Sequence, residues 1–187
     1  MKIALVAAHA PSLTNFRGEL IRTIIDQGHT VLAMAGLASE QDVLEIQNTG
    51  AHFRSYPVQR TGMNPLADSR TLYSLWSILR QEKPDIVLAY TIKPIIWGGI
   101  ACRIIPGIRF YALITGLGFA FQNRNGGLLT KAVSALYRLA LWRAEKVIFQ
   151  NEDNLNEFVA RCIVPREKCV RVFGSGVDLD HFRQQAL

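Results

Sequence analysis

The stretch from Ile86 to Phe121, IVLAYTIKPIIWGGIACRIIPGIRFYALITGLGFAF, constrains the fold more than any other part of this chain. It holds two apolar runs of β type, Ile86 to Tyr90 and Phe110 to Ile114, separated by about the length that a crossover helix needs. Each run ends in a small or polar cluster: Tyr-Thr-Ile-Lys-Pro after the first, Thr-Gly-Leu-Gly after the second. That is the pattern of a βαβ unit with loops at the carboxyl ends of its strands. In open parallel sheets, ligands bind outside those ends, near the point where the strand order reverses. These two loops are therefore the first expected to touch a ligand.

The rest of the chain repeats the same alternation. Lys2 to Ala8 reads as a buried strand, His9 to Asn15 as a polar loop, and Phe16 to Gln27 as a helix in which Leu20, Ile21, Ile24 and Ile25 recur at helical spacing. Asn15 is the expected N-cap, Gly28 the stop, and Val31 to Ala35 the second strand. The first loop lacks G-x-G-x-x-G, with Gly18 alone already inside the helical pattern, which argues against a nicotinamide or flavin enzyme. Further along, a helix fits Glu40 to Asn48, a strand His52 to Tyr56, an irregular loop Pro57 to Asp68, and an amphipathic helix Leu72 to Gln81. Pro94 opens the helix after Tyr90, and that helix contains Gly98 and Gly99, which implies close approach to the sheet or to a ligand. Leu128 to Glu145 is the longest expected helix, apolar on most sides and so expected to bury more than one face. A strand from Lys146 to Gln150, a helix opened by Asn151 and a short strand from Cys169 to Phe173 complete the series. The expected fold class is α/β: a Rossmann-like doubly wound sheet of about seven mostly parallel strands with helices on both faces.

Composition narrows the function classes. With 187 residues, 49% hydrophobic and 19% charged, the chain can build one domain with a substantial core. Its opening apolar run is too short for a signal peptide or a membrane span and reads as the first strand. Cys102, Cys162 and Cys169 are odd in number and widely spaced, which argues for reduced thiols in a cytoplasmic protein and against zinc or a disulfide framework. Of the net charge of +6, residues 54–109 hold +5 and residues 110–150 hold +4, while the two ends together hold −3. A basic centre suits diphosphates, acidic lipid headgroups or nucleic acid; it is equally what a moderately basic solvated surface looks like. Nucleic acid ranks last, because no known module is present and aromatic residues do not interleave with the basic ones.

Four segments then occur in an order that resembles a known family. They are Asn15-Phe-Arg-Gly with Gln27-Gly-His-Thr-Val, Tyr90-Thr-Ile-Lys-Pro with Trp97-Gly-Gly, Thr115-Gly-Leu-Gly-Phe, and Val147-Ile-Phe-Gln-Asn with Gly174-Ser-Gly-Val-Asp-Leu-Asp-His-Phe. Together they resemble the GT-B glycosyltransferases, specifically the retaining, nucleotide-sugar-dependent enzymes of family 4 that build bacterial surface polysaccharides. The resemblance implies an N-terminal, acceptor-binding Rossmann-like domain over residues 1–173 and the start of an interdomain linker over 174–187. The C-terminal donor-binding domain has no counterpart in this chain, so the fragment alone is expected to be inactive. The substrates implied are a nucleotide sugar and a lipid-linked or other saccharide acceptor, with no cofactor and no metal. The implied location is cytoplasmic, with peripheral attachment to an anionic membrane surface through the loop Phe119 to Phe121 and the helix carrying Tyr137, Arg138, Trp142 and Arg143.

By the same resemblance, the turn Asn15, Phe16, Arg17 and Gly18 faces the donor across the interdomain cleft. Tyr90, Thr91, Lys93, Thr115, Gly116 and Gly118 are the candidates for binding the acceptor. Each has a plainer reading: Asn15 as a helix cap, Lys93 as a solvated loop residue, Gly116 and Gly118 as turn formers. No histidine stands where relatives use one against the sugar, so no catalytic base is assigned; a leaving phosphate can itself take the acceptor's proton. Two other classes compete: a stand-alone module binding a phosphate or nucleotide ligand, and half of a sugar-nucleotide epimerase.

Overall fold

The computed structural model describes residues 1–59, 61–62, 64–117, 121 and 127–176. Seven strands, β1 (Lys2–Val6), β2 (Thr30–Ala35), β3 (His52–Ser55), β4 (Ile86–Tyr90), β5 (Arg109–Ile114), β6 (Ala144–Phe149) and β7 (Cys169–Arg171), form one sheet. Its order is β3-β2-β1-β4-β5-β6-β7, and every neighbouring pair is parallel. Among the described residues six α-helices connect them: α1 (Pro11–Asp26), α2 (Glu40–Asn48), α3 (Pro65–Glu82), α4 (Ile92–Ile104), α5 (Leu128–Leu141) and α6 (Glu152–Ala160). The chain winds outward from β1 to β3, returns through α3, and winds outward again from β4. Helices α1 and α2 cover one face, where Leu5, Val31, Ala33, Ile21 and Ile46 are buried. Helices α3 to α6 cover the other, where Val6, Met34, Leu75, Ile95, Tyr137 and Phe158 are buried. The expected doubly wound architecture is the one observed.

Local signals explain where elements begin and end. Helix α2 starts at a reciprocal capping box between Ser39 and Asp42, and Gly50 behind it takes φ 88°. Asn151 caps α6, its side chain accepting from Asn154 N at 2.8 Å. Gly99 marks a close approach between helices: a Cβ there would lie 2.7 Å from the Ala140 carbonyl oxygen of α5 and 3.0 Å from the Phe110 ring of β5. The close approach expected of this glycine is thus to α5 and the sheet.

Three helices differ from expectation. Helix α1 begins at Pro11 rather than Phe16, so Asn15 is not its N-cap, and Asn15, Phe16, Arg17 and Gly18 lie within the helix rather than in a loop. Leu13, Arg17 and Ile21 bury at four-residue spacing, and the arginine interrupts the apolar stripe that would have shown the true start. Helix α3 begins at Pro65, with Asn64 Oδ1 accepting from Leu66 N and Ala67 N, so the preceding loop is shorter than expected. Helix α5 ends at Leu141 and Glu145 belongs to β6. Only one side of α5 is buried: Ser134 is inside, while Leu128 is 87% and Trp142 68% exposed.

The expected membrane contacts are also corrected in part. Phe121 and Tyr137 are core residues that pack on Phe158, and Arg138 donates to the carbonyls of Arg161 and Cys162. Phe119 lies outside the described residues. The three cysteines are free thiols, Cys102 buried and Cys162 exposed. Among the described residues, no helix is long and apolar enough to cross a membrane.

Candidate functional site

The strand order reverses between β1 and β4, and the crevice beyond their carboxyl ends is where the fold offers a ligand site. Its floor is built by tyrosines. Tyr56, just past β3, donates to the Ala7 carbonyl at 2.6 Å and fixes the loop after β1. Burial pushes its phenol far above the ordinary range. Tyr90 ends β4; its hydroxyl pairs with Ser12 Oγ of α1 at 3.0 Å. Burial pushes Tyr90 up to about 12, against the opposing pull of Ser12 and Arg17. At neutral pH it is therefore a hydrogen-bonding phenol and not a base.

Over this floor lies Arg17, the one charged side chain among the buried described residues, 6% exposed. Its guanidinium carbon stands 5.1 Å from the Tyr90 ring centre, within cation–π range. Nη1 donates to the Phe16 carbonyl at 3.0 Å and to Ser175 Oγ at 2.6 Å, while Nε has no partner among the described residues. Burial lowers its pKa, Tyr90 raises it, and an arginine stays charged regardless. Gln150, just beyond β6, donates from Nε2 to the same Ser175 hydroxyl at 2.9 Å.

Thr91 lines the same crevice in a strained conformation, φ 66° and ψ 161°, and its buried Oγ1 has no partner. A β-branched residue at positive φ costs of order 1–3 kcal/mol, and such residues cluster at functional sites. Lys93 pairs with Asp68 at 2.7 Å, both side chains 13% exposed, so its charge is already compensated and ties α4 to α3. Thr115 and Gly116 follow β5 and are exposed; a Cβ on Gly116 would meet nothing within 4 Å, so no steric demand explains the glycine. Gly118 lies outside the described residues.

The sequence candidates thus divide. Arg17, Tyr90 and Thr91 converge on the crevice, Asn15 and Phe16 are exposed on α1, and Gly18 is buried with a Cβ-to-Arg22 approach of 3.7 Å. Sequence reasoning missed Ser12, Tyr56, Gln150 and Ser175. The Gly-Ser-Gly run at 174–176 was the available signal for the last of these. A groove of about 560 Å³ between Trp76, Arg80, Ile105 and Ile108 lies at the opposite end of the sheet, where β4 and β5 begin. It holds none of the crevice residues.

An all-parallel sheet in this order, with a crevice at its switch point, defines a Rossmann-like doubly wound domain. The chain belongs to glycosyltransferase family 4: the profile described as Glycosyltransferase Family 4 matches residues 17–181. Solved structures with the same fold include MurG of Acinetobacter baumannii, at 17% identity and TM-score 0.58, covering 95% of this chain and 46% of that one. Anabaena Alr3699/HepE, solved with UDP and glucose, has 13% identity and TM-score 0.67, with 96% and 46% covered. The UDP-GlcNAc 2-epimerase of Neisseria meningitidis, solved with UDP-GlcNAc, has 14% identity and TM-score 0.60, with 91% and 46% covered. The chain spans less than half the length of each of these. No curated protein matches it significantly.

Proposed function

We propose that this chain is the N-terminal, acceptor-side domain of a retaining glycosyltransferase that moves a sugar from a nucleotide-sugar donor to a lipid-linked saccharide in surface polysaccharide synthesis. Family membership supports the reaction class, and one observation carries the site: Arg17, a buried cation at the switch-point crevice with an unpartnered N–H. Breaking the bond between an anomeric carbon and a diphosphate oxygen leaves negative charge on the diphosphate, and a preorganised guanidinium in a water-poor crevice stabilises it more than water does. Tyr90 holds that guanidinium by its ring face, and Ser12 holds Tyr90 by its hydroxyl. Burial keeps the Tyr56 and Tyr90 phenols protonated, so neither acts as a base, and the departing phosphate takes the acceptor's proton. Thr91 and Thr115 supply hydroxyls toward the acceptor.

The acceptor lies at the inner face of the cytoplasmic membrane in this reading. Exposed Trp142, with Arg103 stacked 4.7 Å from its ring centre and Arg143 beside it, is the membrane contact. Flotation of the full-length protein with anionic vesicles, lost in Trp142→Ser, is expected; no flotation sinks this part.

The test of function is release of nucleoside diphosphate by the full-length protein from a panel of nucleotide sugars, with and without a polyprenyl-diphosphate-linked saccharide. Release that requires the acceptor is expected. The likeness to the Neisseria epimerase favours one other reading. Interconversion of a nucleotide sugar without acceptor, seen by proton NMR, would replace the transferase reading with it.

A further inference from the structure

Among the described residues Arg17 is buried, charged and without a counter-ion. No ion pair among the described residues includes it; its partners are a carbonyl and a hydroxyl, and its Nε is unused. A second unpartnered atom, Thr91 Oγ1, flanks Tyr90 in the same crevice. Buried charge is kept where something compensates it, and a guanidinium fork is matched best by the paired oxygens of a carboxylate or phosphate.

The hydroxyl that holds Arg17 comes from far away in the sheet. Val172 N bonds to the Phe149 carbonyl at 2.8 Å, which keeps that residue beside the carboxyl end of β6. Three residues later Ser175 has reached Arg17, which sits over Tyr90 at the end of β4. Segment 172–176 is therefore a strap laid across the carboxyl ends of the strands. Gly174 and Gly176, at φ 90° and 75°, provide left-handed backbone on either side of the serine. The serine oxygen accepts from both Arg17 and Gln150, so both of its acceptor positions are filled by donors.

We propose that the strap masks an oxyanion site: Ser175 is a neutral placeholder on Arg17, and a diphosphate group entering the crevice takes the guanidinium and frees the strap. The proposal rests on the diphosphate chemistry of the preceding section and adds a competition to it. An anionic diphosphate adds charge–charge attraction and a bidentate match that a single bond to a neutral hydroxyl lacks, so the exchange runs toward the ligand. Because strap and anion compete, the apparent affinity is reduced by the fraction of molecules in which Arg17 is unmasked.

The test is calorimetric titration of inorganic pyrophosphate into full-length wild type, Ser175→Ala and Gln150→Leu, with circular dichroism to verify folding. Both substitutions lie outside the core. Ser175→Ala tightens binding by about tenfold, the factor that one charge-assisted hydrogen bond of ~1.4 kcal/mol represents, and Gln150→Leu changes it in the same direction. In the wild type, amide hydrogen exchange across 174–176 rises when pyrophosphate binds. Unchanged or weaker binding in Ser175→Ala, or strap exchange insensitive to pyrophosphate, overturns the proposal. UDP and geranyl diphosphate, titrated alike, distinguish a nucleotide from a lipid source; dependence on Ser175 in neither also overturns it. If Ser175 tunes pyrophosphate binding but no sugar is transferred, the functional reading fails and the masked site stands. Transfer that is indifferent to Ser175 refutes the masked site alone.

Discussion

The guanidinium of Arg17 and the ring of Tyr90 face each other at 5.1 Å, joining the first helix of one half of the sheet to the first strand of the other. The contact spans the switch point, so the group proposed to meet a ligand is also the group that closes the fold's central seam. Stability and function can be separated there. Arg17→Met keeps the volume and removes a buried, uncompensated charge. It is expected to leave unfolding free energy within about 1 kcal/mol of the wild type or above it, since apolar replacement of buried ionic groups is often neutral or stabilising. Nucleoside diphosphate release by the full-length protein should fall by about 100-fold, the scale of losing one preorganised transition-state donor. Urea unfolding and turnover, measured on the same preparations, check both.

The adjacent glycines of α4 are expected to behave in opposite ways. In Gly99→Ala the new methyl would meet the Ala140 carbonyl at 2.7 Å and Phe110 at 3.0 Å, which costs about 1–3 kcal/mol of overpacking. In Gly98→Ala it would meet only the Ala89 methyl at 3.8 Å, and helix propensity then gains up to ~1 kcal/mol. Thermal midpoints of the two variants should move to opposite sides of the wild type.

Thr91 stores strain that can be released. Thr91→Gly removes the side chain that disfavours φ 66°, offset by greater unfolded-chain entropy, and a net gain of about 1 kcal/mol is expected. If the strain serves to present the Thr91 hydroxyl, the same variant binds acceptor less tightly. A rise in urea midpoint together with a rise in acceptor KM is the expected pair of results.

Stability should fall on the alkaline side. Burial raises Cys102 and Tyr90 to about 12 each in the folded chain, from 9.0 and 10.0 respectively. For a group whose folded pKa is raised, stability is complete below the unfolded pKa and is lost as pH rises through the folded one. Cys102 therefore begins to cost stability above pH 9 and Tyr90 above pH 10, each up to roughly 2–4 kcal/mol by pH 12. Urea midpoints between pH 8 and 11 should decline, and Tyr90→Phe should lessen the part that begins near pH 10, to which the buried Tyr56 and Tyr137 also contribute.

How much of this was legible in the chain depended on distance along it. Helix α2 and strand β4 occupy their expected residues because a capping box, a stop glycine and a pure apolar run are local signals. The start of α3 was hidden because its first turn is largely exposed, with Leu66 75% accessible, so Asn64 and Pro65 stood without an apolar stripe behind them. Arg17 disguised the start of α1 by standing where a core residue would. Ser175 meets Arg17 across 158 residues, and no local pattern encodes such a contact. The resemblance gave Arg17 to the donor side and Tyr90 and Thr91 to the acceptor side; in the structure the Arg17 guanidinium lies 5.1 Å from the Tyr90 ring centre.

Strand β1 has a consequence for how the chain is made. It pairs with β2 on one side, Ile3 opposite Val31, and with β4 on the other, Ile3 opposite Ile86. During synthesis the β1-β2-β3 half emerges first, with one edge of β1 unpaired and Val6, Leu32 and Met34 lacking the helices that bury them. Long-range parallel pairing is slow to form, and bare strand edges invite association with other chains. The nascent protein is most vulnerable to aggregation in the interval before β4 docks, and α1 and α2, which are built from local contacts, hold the early half together until it does.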